Sequence, residues 1–457
     1  MVFSSFIFLF WFLPLFLAVY RLVPGRLKNA CITVFSFVFY GWWRPHYVFL
    51  MLASVLVDWR CAKSMAPLPD GRSRRAWLLL SIVTNLGLLG WFKYANLAVA
   101  TWNDLGIHPV EWTEVVLPVG ISFYTFQSMS YTIDVYRRRV APARSFGDLL
   151  CFVTMFPQLV AGPIVRYQEI EKQIGDHASS WPRFRDGTLL AAAGIAKKVL
   201  IADQAASIAD QAFSADAPGL ALAWLGVLSY AVQIYFDFSG YSDMAIGFGR
   251  IIGFDLPTNF LSPYKSKSIT EFWRAWHVSL SSWLRDYLYV PLGGNRRGTF
   301  STYRNLLLTM LLGGLWHGAQ WTFVLWGAWQ GAFLVLERAM GKRPLYSGLP
   351  GPVRCALTFA IVLFGWAIFR AQGVDALLGF WGGMIGVHGF ATAFENPGFL
   401  PCAAVLLGSA IAFTCRRSEE LVEQGRPWFS VLVTLCFFLA VGRLLSSEFS
   451  PFLYYRF

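Results

Sequence analysis

Charge is scarce in this 457-residue chain: Asp, Glu, Lys and Arg together make up 14% of it, against about 25% in soluble globular proteins. With 56% hydrophobic content, that shortage excludes an ordinary water-soluble globule. The seven cysteines (Cys31, Cys61, Cys151, Cys355, Cys402, Cys415 and Cys436) are odd in number and contain no C-x-x-C pair, so they indicate neither a zinc site nor a disulfide framework. His46, His108, His177, His277, His317 and His388 are too scattered to suggest a metal cluster. Nucleotide and hydrolase signatures also fail. Gly247, Gly249 and Gly253 form GxGxxxG with no βαβ pattern, no G-x-S-x-G surrounds Ser239 or Ser242, and neither a P-loop lysine motif nor H-E-x-x-H occurs. No composition break, long linker or fixed-period repeat divides residues 1–457, so one membrane domain is expected.

What is plentiful is apolar and aromatic: 41 Phe, 20 Trp and 18 Tyr, which exclude disorder. At ~20 residues per spanning helix there is room for roughly a dozen segments. Apolar runs fall near 3–20, 30–43, 46–57, 76–100, 115–133, 149–165, 187–212, 219–236, 244–256, 304–316, 320–336, 353–369, 376–393, 399–415 and 429–445. Runs shorter than ~17 residues suit re-entrant, interfacial or internally buried pieces. The expectation is an all-α polytopic membrane protein with about eleven transmembrane helices plus re-entrant or interfacial helices. Residues 1–22 carry no charge before Arg21 and lack the basic start and cleavage site of a secretory signal, so they read as a retained first span.

Lys and Arg number 38 against 26 acids, but the excess sits in short clusters between apolar runs: Arg21, Arg26 and Lys28; Arg60, Lys63, Arg72, Arg74 and Arg75; Arg137, Arg138 and Arg139. This is the pattern of cytoplasmic loops and does not point to nucleic acid. The intervening 101–114 stretch has three acids and no Lys or Arg. Alternation then places the N-terminus outside.

Polar and ionisable groups inside apolar runs are costly and mark functional candidates. His317 lies in LLGGLWHGAQWTFVLWGAWQG, with no Asp, Glu, Lys or Arg between Arg304 and Glu337. Gly313, Gly314 and Gly318 there permit close backbone approach. Imidazole is the side chain best suited to take a proton near neutral pH, although a structural histidine bonded to a neighbouring helix fits the position equally. In residues 268–297, Ser268 and Glu271 form a capping-box pattern, and Pro291, Gly293 and Gly294 should end the helix it starts. On that helix His277 shares a face with Trp273, Leu280, Ser281 and Leu284. An interfacial amphipathic helix is the competing reading. Asp237 and Asp243 read as caps or cavity lining, Lys197 and Lys198 as snorkelling or lining a polar passage, and Phe156–Pro163 as a broken, re-entrant element.

Several stretches together resemble the membrane-bound O-acyltransferase superfamily, in its bacterial alginate O-acetyltransferase branch. They are LPVGISFYTFQSMSYTIDVYRRR (117–139), FPQLVAGPIVR (156–166), DFSGYSDMAIGFGR (237–250), residues 268–297, GLWHGAQWTFVLWG (314–327) and the closing FLYYRF. The resemblance runs over essentially the whole chain. It implies helices around a funnel or tunnel, with the family's essential histidine at His317 and its second histidine at His277. Trp316, Trp276, Asp237, Asp243, Lys197, Lys198, Arg285 and Asn295 are assigned to substrate contact or the lining of that passage. It further implies acetyl transfer from a cytoplasmic thioester, acetyl-CoA, to hydroxyls of an extracellular polysaccharide such as alginate, with peptidoglycan or another envelope glycan as the alternative. His317 would be the general base, and His277 would position the acyl group or polarise its carbonyl. A periplasmic partner enzyme, membrane lipid, the bacterial inner membrane, no permanently bound cofactor and no metal complete the expectation. A transporter built on buried polar groups and broken helices, or a scaffold of an export complex, is the non-enzymatic alternative.

Overall fold

The structure is a computed structural model that describes residues 1–106, 108–177, 179–391, 395–446 and 453. Among these residues it is helical with no strand, and they group into two compact units: Met1–Ala191 with Met244–Pro257, and Ala192–Asp243 with Thr258–Phe457.

In the first unit, Phe8–Phe12 and Leu13–Leu22 form one apolar helix, followed by Lys28–Gly41, Tyr47–Met65, Arg72–Leu89 and Ile121–Tyr136. Its packing centre is aromatic: Phe3, Phe8, Phe12, Phe16 and Phe39 gather around Phe156, with centroid separations from 5.1 to 6.3 Å. Burial of such rings drives association, and their tilted and edge-on arrangements suit the ring quadrupoles. Phe156–Leu159 is a short, fully buried helix with Pro157 in its first turn, and the chain leaves helical geometry by Gly162. The broken character expected of Phe156–Pro163 is therefore observed.

Two polar devices tie this unit's helices together. Asp58, buried on Tyr47–Met65, accepts from Ser81 Oγ at 2.6 Å, from Asn85 Nδ2 at 2.9 Å and from Ser128 Oγ. Buried polar atoms are costly unless paired, and this carboxylate links three helices through its bonds. Arg74 does the same for backbone. Its guanidinium, 1% exposed, donates to the carbonyls of Met65, Leu68, Val135 and Tyr136 at 2.9–3.0 Å and of Ala66 at 3.4 Å. It thus adds side-chain donors to the carbonyls at the C-terminal ends of Tyr47–Met65 and Ile121–Tyr136.

The second unit is built on Lys197–Ala202, a π-helical stretch running into Asp203–Phe213, and on the first part of the 33-residue helix Leu220–Ile252. The two apolar runs at 219–236 and 244–256 are thus one helix, and Asp237 and Asp243 lie inside it rather than at caps. Gly240 lets this helix cross the 194–198 segment closely: a Cβ there would stand 2.7 Å from Gly194 O and 3.3 Å from Lys197 Cβ, so only hydrogen lets the backbones come so close. Further along come Gly298–His317, Trp321–Ala339, Gly351–Arg370, Val374–Met384, Phe399–Thr414 and Pro427–Ser446. Gly298–His317 and Trp321–Ala339 form a tight hairpin. A Cβ on Gly327 would meet Leu311 Cα at 2.9 Å, and one on Gly314 would meet Phe323 C at 3.1 Å.

Four described helices are long and apolar enough to cross a membrane: Arg72–Asp104, Leu220–Ile252, Gly351–Arg370 and Pro427–Ser446, with Phe8–Leu22 and Phe399–Thr414 as shorter apolar helices. This is a multi-pass membrane architecture. The expected count of about eleven spans is not established by these four: other expected runs form helices that are shorter, such as Lys28–Gly41 and Ile121–Tyr136, or more polar, such as Gly298–His317.

Candidate functional site: two histidines joined by a tryptophan

The expected single helix over residues 268–290 is corrected by the structure. Ser268 Oγ accepts from Glu271 N at 3.1 Å and starts a helix at Ile269, as the capping pattern predicts, but that helix ends at Ala275. A second helix, Val278–Leu284, begins after His277, whose φ of +44° is left-handed. His277 therefore stands at a junction and not on the helical face shared with Leu280 and Leu284. A left-handed bulky residue costs of order 1–3 kcal/mol and persists only where its surroundings over-determine it.

Asn259 supplies that over-determination. Its backbone oxygen accepts from Val278 N at 3.0 Å, and its Oδ1 accepts from Ser279 N at 3.3 Å and Ser279 Oγ at 2.9 Å. Leu261 N adds a bond to Ala275 O at 2.8 Å. Both leading amides of the second helix are thereby capped from a neighbouring loop. His277 Nδ1 lies 3.1 Å from the same Asn259 Oδ1, and the ring, fully buried, meets the edge of Phe238 at 4.7 Å between centroids.

The start of the first helix is anchored as firmly. Glu337, buried on Trp321–Ala339, accepts from Ile269 N at 2.7 Å and from Thr270 N and Oγ1 at 2.9 and 2.6 Å. A carboxylate at a helix N-terminus is favoured by the exposed amides and their dipole. It fixes the His277 segment to the hairpin that carries His317.

His317 is the last residue of Gly298–His317; the chain leaves helical geometry at Gly318 and re-enters at Trp321. It is not in the middle of a span. Its imidazole, 5% exposed, is ringed by Trp316 and Trp326, each 5.1 Å away between centroids, and by Phe369 at 5.3 Å, all near edge-to-face. Trp316 also contacts His277 at 6.1 Å. One indole thus touches both imidazoles. Trp276, 1% exposed, sits one ring further out, 4.8 Å from Trp366, which stacks on Trp326 at 6.2 Å. This aromatic shell limits ring rotation and excludes water, raising the strength of any hydrogen bond made inside it.

The remaining sequence candidates lie elsewhere. Lys197 pairs with Asp243 at 2.6 Å, and Lys198 pairs with Asp203 at 2.6 Å and Asp237 at 2.7 Å, while Asp237 Oδ2 also accepts from Leu453 N at 2.7 Å. These charges bind one another where the Gly240 crossing brings their helices together. Arg285 faces outward with Asp286, 2.7 Å away, and Asn295 is in an exposed turn. Of the closing FLYYRF, only Leu453 is among the described residues. Among those residues no group of three or more His, Cys, Asp or Glu is arranged to hold a metal ion. Sequence reasoning missed Asn259, Phe238, Trp326, Phe369 and Glu337. Only Glu337 carried a signal, as a carboxylate at the end of an apolar run.

These features define a polytopic membrane protein with a histidine centre sunk in aromatic packing. Residues 143–369 match the MBOAT, membrane-bound O-acyltransferase family. Over its whole length the chain is 42% identical to the probable alginate O-acetylase AlgI of Pseudomonas putida, also covered in full. It is 33% identical to the peptidoglycan O-acetyltransferase of Helicobacter pylori, over all of this chain and 98% of that one. The teichoic acid D-alanyltransferase of Bacillus subtilis is 28% identical over 56% of this chain and 69% of its own length. The chain belongs to the membrane-bound O-acyltransferase family and is an acyltransferase. His277 and His317 both fall inside the matched region.

Proposed function

We propose that this protein moves an acetyl group from cytoplasmic acetyl-CoA across the bacterial inner membrane to hydroxyls of an extracellular polysaccharide, alginate first among them, with a periplasmic partner enzyme completing delivery. The observation that carries this reading is the shared contact of His277 and His317 with Trp316, at 6.1 and 5.1 Å, inside a chain of this family. The full-length similarity to alginate O-acetylase supports the acceptor class. The full-length peptidoglycan O-acetyltransferase relative supports a cell-wall glycan as the second candidate.

The acceptor hydroxyl that receives the acetyl group from CoA is a weak nucleophile at neutral pH, and a positioned base is worth ~10²–10⁴-fold. His317 takes the hydroxyl proton as oxygen attacks the thioester carbonyl. The new C–O bond forms, the C–S bond breaks, and the thiolate receives the proton. The N-terminus lies outside, and the crossings beyond the four long apolar helices come from shorter or broken ones packed against protein.

The test is acetyl-labelled CoA supplied to membranes carrying wild type or His317→Ala, with label followed into glycan. Transfer should fall at least ~10²-fold in the variant while the protein level holds. Unchanged transfer would remove His317 as base. Flux of intact substrate without covalent label would replace the enzyme by a transporter.

A further inference from the structure

The contacts around Asn259 decide where a proton sits on His277. A backbone N–H only donates, and Ser279 N is 3.3 Å from Asn259 Oδ1, so that atom is the amide oxygen. The other amide atom, Nδ2, points to Ser242 Oγ at 3.2 Å, as a donor should. His277 Nδ1 is 3.1 Å from Oδ1. An amide oxygen has no hydrogen to give, so the hydrogen in this contact belongs to Nδ1.

We infer that Asn259 is a positioning residue of the transferase, holding His277 as the Nδ1–H tautomer with Nε2 as the acceptor nitrogen of the neutral ring. The inference rests on the reading of His277 as part of the acyl-transfer centre. It also changes the role first expected for His277. Polarising a thioester carbonyl needs a hydrogen on the nitrogen that faces it, and a neutral ring held this way offers none at Nε2. What Nε2 offers is a lone pair, which orients a substrate O–H or S–H by accepting from it. His277 thus aligns the hydroxyl or thiol group, and carbonyl polarisation falls to other donors.

Two features make the lock rigid. The same Oδ1 accepts from Ser279 N and Ser279 Oγ, so the amide does not turn over without breaking a helix cap. The left-handed backbone of His277 is fixed on its C-terminal side by Val278 N, which bonds Asn259 O at 3.0 Å. Ring orientation, tautomer and helix junction are therefore set by one residue.

The experiment is solid-state NMR of the full-length protein in lipid bilayers with ¹⁵N-labelled histidine, the His277 signals being identified by their loss in His277→Gln. Wild type should show a proton-bearing Nδ1 and an unprotonated Nε2. In Asn259→Leu the ring should leave that state, and kcat for acetyl transfer should fall about 10²-fold with little change in KM. Asn259→Asp, whose carboxylate also accepts from Nδ1–H, should restore the tautomer and most of the rate, an outcome that simple loss of packing does not give. A proton found on Nε2 alone in the wild type, an unchanged tautomer in Asn259→Leu, or a wild-type rate in that variant would overturn the assignment. The tautomer is read without turnover, so it fails separately from the acetyl-transfer reading, which falls if His317→Ala transfers label normally.

Discussion

Gly327→Ala is the sharpest probe of how the fold sets the reacting geometry. The added methyl would stand 2.9 Å from Leu311 Cα and 3.0 Å from Met310 C, where ordinary contacts run to roughly 3.5–4 Å. These are main-chain atoms of the facing helix, so no rotamer change relieves the clash. The two arms of the hairpin must part by roughly 1 Å, and His317 lies at the end of the displaced arm. Misplacement by that amount costs about 10² in rate, or about 2.7 kcal/mol of transition-state stabilisation. Overpacking should cost a further ~1–3 kcal/mol of stability. The assay is label transfer from acetyl-CoA in membranes, paired with a detergent-solubilised melting curve. Gly87→Ala serves as control, because a Cβ there meets nothing within 4 Å, and it should transfer normally. A wild-type rate in folded Gly327→Ala would refute the claim that this contact positions His317, the proposed base.

Arg74→Met should remove the side-chain donor from five carbonyls, of which Met65 O and Val135 O keep a backbone donor, and destabilise the first unit by several kcal/mol, on the order of 3, seen as a lower melting temperature; Arg74→Lys, with fewer donors, should fall between. Lys198→Met leaves Asp203 and Asp237 without their shared cation and should lower the melting temperature strongly, whereas adding Asp237→Asn should recover part of the loss in a double-mutant cycle. Glu337→Ala unties the start of the His277 helix, and transfer should drop more than stability, measured by the same two assays; equal loss of both would mean that the anchor serves folding alone.

The helical class and the membrane setting are legible in the sequence because each rests on local composition, in long apolar runs; His317 stands out as an imidazole with no Asp, Glu, Lys or Arg between Arg304 and Glu337, whereas His277, close to Glu271, Arg274 and Arg285, is singled out by the family motif. Ser268 and Glu271 mark their helix start correctly because that signal too is local. The break at His277 was not legible. Nothing in WRAWHVSL disfavours a helix, and the interruption is imposed by Asn259 from a loop 18 residues earlier. Asp237 and Asp243 suggest caps or cavity lining in the sequence, because isolated carboxylates in apolar stretches favour ends and wet surfaces. Their partners Lys197 and Lys198 lie about 40 residues away in the chain, a distance over which local pattern says nothing. The number of crossings is hard to read for a related reason: an apolar run reports burial but does not say whether lipid or protein provides it.

The Ile121–Tyr136 helix carries that ambiguity into biogenesis. Fourteen of its sixteen residues are buried, among them Ser122, Thr125, Gln127, Ser128, Ser130, Thr132 and Asp134. Such a segment gains little by partitioning alone into hydrocarbon, since the partners of Ser122 and Ser128 (Lys93 and Asp58) and the Ser81 hydroxyl that donates to Thr132 all come from neighbouring helices. As the nascent chain is inserted, it should therefore enter the bilayer late or in company, sheltered by segments already in place. Its topology would then be decided by assembly rather than by its own greasiness.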